Sequence, residues 1–319
     1  MYSNVLLEAS PQIPEEGMII EVQEGDNFYL LTSYLNERNM GPDRIWNRVI
    51  AWRFPELTKV KTAEYLVEPG MTYREILQLI TTGHGVQYSI QFLEGWTMNQ
   101  ILDELSQHKG LIKDIELDVN SIHDLLGTEQ SNPEGWLFAD TYHYHRGMKV
   151  SDLILQMYER MSDELEAAWN NRSVDNQLTT PYELLIMASL IEKETGLSGE
   201  RDEVSGVFHR RLAIGMRLQT DPTIIYALGD SYDGDIKWRD KKFQSPYNTY
   251  VVHGLPPTPI AVPSRASLIA AGNPAPGTAL YFVAKGDGSH VFSDTLEQHN
   301  QAVREYLLQL KKDKNKNKN

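Results

Sequence analysis

The sequence predicts an α+β fold in two parts, a small βααβ module at the N-terminus and a mixed helical and β region after it. Three observations predict it. At 319 residues the chain exceeds one typical domain and has material for two. Its 41% hydrophobic and 23% charged residues are the proportions of an ordinary globular protein, which excludes collagen-like, disordered and membrane-bundle classes. Its hydrophobic periodicity then changes after Gln107, from short strand-and-helix units to longer helices.

The N-terminal third carries a weak repeat in "IIEVQEGDNFYLLTSYL", "EYLVEPGMTYREILQLI" and "YSIQFLEGWTMNQILDEL". In each copy an alternating β-type segment reaches a glycine turn (Gly25, Gly70, Gly95), and an amphipathic helix follows. Asp26, Thr72 and Thr97 are placed to cap those helices. "GPDRIWNRVIAWRF" adds a second helix between the first two copies, so Met18 to Val67 reads strand–helix–helix–strand. A module that small suits surface binding of a ligand, or serves as a packing appendage.

Beyond Gln107, "VSDLILQMYERMSDELEAAW", "TPYELLIMASLIEKET" and "GERDEVSGVFHRRLAIGM" read as helices. "TDPTIIYALG" is a fourth, with Asp221 as N-cap, Pro222 at the first helical position and Gly229 as terminator. "GLPPTPIAVPS" has too many prolines for a helix or a central strand and is expected to be an ordered loop. "ALYFVAKGDGSHVFSDT" predicts a hairpin about Gly286 to Gly288, and a helix from Leu296 to Lys311 closes the fold. The expected boundaries are 1–108, 109–311 and a disordered basic tail at 312–319.

Charge and composition remove several functions. The net charge is −14, and the closing "KKDKNKNKN" holds five Lys against one Asp, so residues 1–310 carry about −18. Such a body repels nucleic acid. With no cysteine, disulfide frameworks, thiol nucleophiles and Cys-ligated metals are excluded. His143 and His145 share a strand face but have no third ligand nearby, so no metal is expected. Phosphate-binding loops and the Gly-x-Ser-x-Gly elbow are absent, and no cofactor is expected. Carboxylate chemistry remains.

The apolar helix from Pro181 ends in "LIEKETG". At about 100° per residue, Glu194 projects between Leu190 and Ile191 on the bulkier stripe, while Glu192 projects between Ala188 and Leu185. A poorly solvated carboxyl is held protonated toward neutral pH and becomes a general acid. Alternatively, both glutamates are surface residues of the last turn, where each opposes the helix dipole by about 0.3–1 kcal/mol. On helix geometry alone both readings stay open.

Longer blocks carry a resemblance. "ERDEVSGVFHRRLAIGMRLQTDPTIIYALG", "SPYNTYVVHGLPPTPIAVPSRASLIAA", "EGWLFADTY" and "LYFVAKGDGSHVFSDTLEQHN" resemble the endolytic murein transglycosylase family, MltG or YceG-like, over about Tyr65 to Tyr306. The resemblance implies a lyase that cuts MurNAc-β-1,4-GlcNAc bonds of nascent peptidoglycan without water and leaves 1,6-anhydroMurNAc ends. It implies a LysM-like N-terminal module, peptidoglycan strands as substrate, and peptidoglycan synthases as partners. It also implies a single N-terminal anchor in the cytoplasmic membrane, which this sequence does not show, with the catalytic part on the periplasmic or outer face and the present chain soluble. The second glutamate of Glu-Lys-Glu-Thr is the family's catalytic acid, and it carries over to Glu194.

Around it we expect Gln219, Thr220 and Asp221 of "LQTDP" and Tyr247, Asn248 and Tyr250 of "PYNTY" to bind sugar, since amides and hydroxyls fix sugar hydroxyls and tyrosine faces stack on pyranose rings. Trp136 is a further platform or a packing residue, Tyr226 a core residue, and capping is favoured for Asp221 over a second catalytic role. Three positions depart from the family pattern: Ala139 for Pro, Arg210 for Asn and Ser264 for Gly. A binding scaffold without catalysis and an ordinary hydrolase with Asp221 as second carboxylate are the alternatives.

Overall fold

The computed structural model describes residues 2–83, 85–130 and 132–316. In chain order it contains α1 (Tyr2–Leu7), β1 (Met18–Val22), α2 (Phe28–Glu37), α3 (Arg44–Arg53), β2 (Ala63–Val67), α4 (Tyr73–Thr82), β3 (Gln87–Gln91), α5 (Met98–Gln107) and α6 (Val119–Leu126). Then come β4 (Thr141–His145), α7 (Val150–Asn170), α8 (Pro181–Glu194), α9 (Arg201–Ala213), α10 (Asp221–Leu228), α11 (Arg265–Gly272), β5 (Tyr281–Ala284), β6 (His290–Ser293) and α12 (Leu296–Lys316). The strands form three two-stranded sheets, β1 with β2, β3 with β4 and β5 with β6. Helices and small sheets share the fold, as an α+β class requires.

Two compact units emerge, and neither is continuous in sequence. One comprises Met1–Ile90, Gln107–Ile115 and Thr141–Leu153, the other Gln91–Ser106, Glu116–Asp140 and Ile154–Asn319. The single boundary expected at residue 108 is therefore replaced by several crossings. The break expected at 311 is also missing, because α12 continues to Lys316. Residues 317–319 of the expected tail lie outside the described residues.

In the first unit the βααβ order is as the periodicity predicts. β1 pairs antiparallel with β2, Met18 opposite Val67 and Val22 opposite Ala63. The alternation puts Ile20 and Val22 inside with Tyr65 and Val67, against Phe28, Leu31 and Leu35 of α2 and Ile76, Leu77 and Ile80 of α4. Gly25 and Gly70 take positive φ, 92° and 88°, as the turns demand. Thr72 caps α4 in a full capping box with Glu75, but α2 is capped by Asn27, one residue beyond the expected Asp26, whose carboxylate holds the Gln23 N–H at 2.8 Å. Buried Glu64 is neutralised by Arg146 at 2.8 Å.

The second unit is built round α8. Thr180 caps it, Pro181 occupies its first turn, and every residue from Leu184 to Ile191 is buried. A helix apolar on all sides is a central helix, and α8 packs against α11, α9 and α10. The proline-rich loop is irregular and buried at Ile260, Ala261 and Val262. It docks on α8 through the Ile260 N–H, which donates to Ser189 Oγ at 3.1 Å. β5 and β6 form the predicted hairpin, with Ala284 opposite His290.

Candidate active site

The last turn of α8 delivers Glu192 and Glu194 to different neighbours. Glu192 reaches the start of α11. There one carboxylate oxygen accepts the Ser264 N–H at 3.0 Å, the Ser264 hydroxyl at 2.5 Å and the Ser267 hydroxyl at 2.7 Å, and Arg201 lies 3.8 Å from the other. Ser264 also caps α11 through Ser267 N–H, so a serine where the family pattern has glycine supplies two bonds that glycine's missing side chain cannot. Glu192 is a structural charge, 8% exposed. The helical projection needs correction here: α8 is buried on every face, and partners rather than the bulk of a stripe separate the two glutamates.

Glu194 meets the start of α10. Among the described residues its single hydrogen-bond donor is the Thr220 hydroxyl. Burial pushes its carboxyl up to about 7, the negative charge of Asp221 adds to the rise, and the Thr220 bond and the Arg211 guanidinium oppose it. A carboxyl half protonated near neutrality can both give and take a proton.

The segment holding Thr220 is itself fixed by Thr249. The Thr249 carbonyl accepts the Gln219 N–H at 3.2 Å, and its hydroxyl accepts the Thr220 N–H at 3.0 Å and exchanges a bond with Thr223 at 2.9 Å. Gln219 adopts φ +50°, a left-handed conformation that non-glycine residues enter at a cost of order 1–3 kcal/mol. Thr249 thus aims the donor at Glu194. It lies inside "PYNTY", but a buried threonine gives no sequence signal of its role.

A cleft of about 490 Å³ opens at Glu194. Gln219, Asp221 and Tyr250 line it, as expected of sugar-contacting residues, and so do Arg211, Lys241, Tyr281, His290 and His299, which sequence reasoning missed. The correction at Asp221 is larger. Thr220, not Asp221, is the N-cap of α10, so the Asp221 carboxylate does not cap; it accepts the Tyr250 hydroxyl at 2.5 Å and faces Lys241 at 3.5 Å. Burial and Asp221 together raise the Tyr250 phenol well above its ordinary range, which keeps it a donor.

The other expected residues stand apart from this cleft. Asn248 is fully buried, and its amide nitrogen donates to three carbonyls, at Asp240, Lys241 and Phe243, while its oxygen accepts the Tyr250 N–H at 3.0 Å. These bonds make it a staple of its own loop. Tyr247 packs its ring against Tyr226 at 4.9 Å and bonds Thr258 at 3.0 Å. Trp136 stacks on Tyr182 with centroids 6.0 Å apart, the contact expected of a packing residue. Tyr226 also donates to Glu134 at 3.1 Å. Burial pushes that second carboxyl up to about 7 as well, although the Met98 N–H and Tyr226 stabilise its charge. "EGWLFADTY" gave the block but not the buried acid in it.

The YceG-like family model matches residues 20–305, nearly the whole chain. The chain belongs to the YceG-like family. Its relatives include a Bacillus subtilis protein named endolytic murein transglycosylase, 29% identical over 96% of this chain and 89% of that protein. A Streptococcus pneumoniae protein of the same name is 27% identical over 80% of this chain, which spans about half, 52%, of that longer relative. Among solved structures, a yceG-like protein of Listeria monocytogenes aligns with a TM-score of 0.57 and 28% identity, over 90% of this chain and 99% of that one. Among the described residues no helix is long and apolar enough to cross a membrane, and no cluster of candidate ligands for a metal is present.

Proposed function

We propose that this YceG-like chain is a peptidoglycan lytic transglycosylase that cuts glycan strands endolytically, with Glu194 as its acid. The observation that carries the reading is a carboxyl raised to about 7, met by one hydroxyl, at the wall of an open cleft. The names borne by the Bacillus and Streptococcus relatives support the substrate class. In this reading Glu194 protonates the glycosidic oxygen between MurNAc and GlcNAc, and the muramoyl 6-hydroxyl attacks C1 of its own ring. The product is a 1,6-anhydroMurNAc end. An intramolecular nucleophile at high effective molarity replaces the second carboxylate that hydrolytic glycosidases need. Asp221, bound to Tyr250 and Lys241, holds substrate hydroxyls beside it.

The first unit, in the same reading, is a LysM-like module that positions glycan. The native protein acts from the outer face of the cytoplasmic membrane, and the synthases making the strands are its partners. A second reading rests on the freed Asp221, which lines the cleft instead of capping α10 and would serve as the second carboxylate of a hydrolase. Mass spectrometry of a purified peptidoglycan digest decides between them. Anhydro ends that vanish in Glu194→Gln uphold the lyase; reducing ends that vanish in Asp221→Asn replace it with the hydrolase.

A further inference from the structure

The cleft holds a second group built for proton transfer. Glu200 clamps His290 twice: its carboxylate accepts the His290 backbone N–H at 2.9 Å and engages the ring at Nδ1 at 2.8 Å. Both side chains are largely enclosed, 11% exposed for His290 and 17% for Glu200. The ring stands edge-on to Phe282, with centroids 5.5 Å apart, and this fixes its plane. A carboxylate on Nδ1 selects the tautomer with its proton there, so the Nε2 lone pair remains for a ligand. The ring lines the same cleft as Glu194, near enough that its positive form favours the Glu194 carboxylate. Arg211, Asp221 and Lys241 are the other charged groups along that wall.

We propose that His290, oriented by Glu200, is the base of the reaction and accepts the proton of the muramoyl 6-hydroxyl at Nε2. The proposal rests on the lyase reading above and divides its proton work between two residues. Glu194 gives its proton to the glycosidic oxygen as the C1–O bond breaks. The 6-oxygen forms its bond to C1, and its proton passes to His290, whose imidazolium is neutralised by Glu200. The cleft then holds a carboxylate and an imidazolium. Return of the proton from His290 to Glu194 restores both, so protons and electrons balance with no further reactant. Glu200 is a positioning residue, since it acts through the ring.

The test compares wild type, His290→Gln, His290→Ala and Glu200→Gln on purified peptidoglycan, counting anhydro ends by mass spectrometry and following unfolding in parallel. In His290→Gln the backbone bond to Glu200 survives, so the hairpin stays pinned. Anhydro ends are expected to form about 100-fold more slowly or less in that variant at an unchanged melting temperature, as loss of a general base requires. Added imidazole should restore part of the rate to His290→Ala, and Glu200→Gln should lose a smaller factor in kcat than either variant of His290. Anhydro ends at the wild-type rate from His290→Gln overturn the step while leaving the lyase reading intact. Loss without imidazole rescue, accompanied by a lower melting temperature, overturns it too by making His290 a structural residue. Reducing ends from the wild type sink the lyase reading itself.

Discussion

The starts of α11 and α10 each receive a glutamate from the last turn of α8, and they treat it in opposite ways. At α11, Glu192 meets two hydroxyls, a backbone N–H and a nearby arginine. At α10, Glu194 meets one hydroxyl and a neighbouring aspartate, and it lies at the cleft wall. Two carboxyls of one type, two residues apart, are thus divided by their donors. A carboxylate supplied with donors is a fastener, whereas one starved of them holds its proton to neutral pH and can spend it on a substrate.

The largest expected effect breaks the starved side. Glu194→Gln keeps the shape and can still accept from Thr220, but it has no proton to give. Cleavage of peptidoglycan should fall by about 10³-fold or more, within the range for losing a general acid, with circular dichroism and melting unchanged. The supplied side should fail in the other currency of the comparison, stability. Glu192→Ala leaves the Ser264 and Ser267 hydroxyls and Arg201 without their shared acceptor, and should cost about 2–4 kcal/mol in urea unfolding. Its activity per folded molecule should stay near wild type, and a loss of activity as deep as in Glu194→Gln would erase the distinction between the two sites.

A pH series sharpens the same contrast. The Glu194 carboxyl titrates near 4.5 in an unfolded chain and at about 7 in the folded one. Below 4.5 both states are protonated and the protonated group's contribution is complete. As pH rises toward 7 the unfolded state sheds its proton first, and that contribution is lost. Wild type should therefore lose stability between pH 5 and pH 8 relative to Glu194→Gln, by about 1–3 kcal/mol once solvent at the cleft is allowed for. Glu134 carries the same upward shift and stays in both proteins, so the difference between the two urea curves isolates Glu194. Parallel curves from pH 5 to pH 8 would mean that Glu194 is ordinarily solvated.

Much of this is legible in the sequence alone. The βααβ order, α8 with its Pro181 start, the β5–β6 hairpin and the irregular proline-rich loop all follow from periodicity and from Gly and Pro placement. Helical projection leaves both glutamates of "LIEKETG" open, and the family resemblance is what singles out Glu194. The units were not legible, because they interleave segments distant in sequence and local patterns carry no record of such crossings. Nor were the roles of Asp221 and Asn248. Asp221 looks like a cap because Asp-Pro usually opens a helix, but Thr220 takes that place and releases the carboxylate to Tyr250. Asn248 looks like a sugar ligand because amides often are, yet three backbone carbonyls of its own loop use its donors. His290 and Glu200 are 90 residues apart, and only the hairpin's return beside the start of α9 makes them a pair.

The smallest and sharpest test alters one hydroxyl on each side. Ser264→Ala removes two of the bonds supporting Glu192 and α11, namely its own hydroxyl bond to the carboxylate and the cap on Ser267 N–H, at a cost of about 1 kcal/mol. Its pH–rate profile should not move, because Glu192 takes no part in proton transfer. Thr220→Val costs a similar amount of stability, about 1 kcal/mol, by removing one buried hydrogen bond. Here the profile should move. The lost bond favoured the charged form of Glu194, so without it the acid keeps its proton to higher pH and the alkaline limb of the rate profile shifts upward. If both variants leave that limb in place, the single donor at α10 does not govern the acid; if both move it, the donors at α11 reach further than Glu192, and the division between fastener and acid is not made at the last turn of α8.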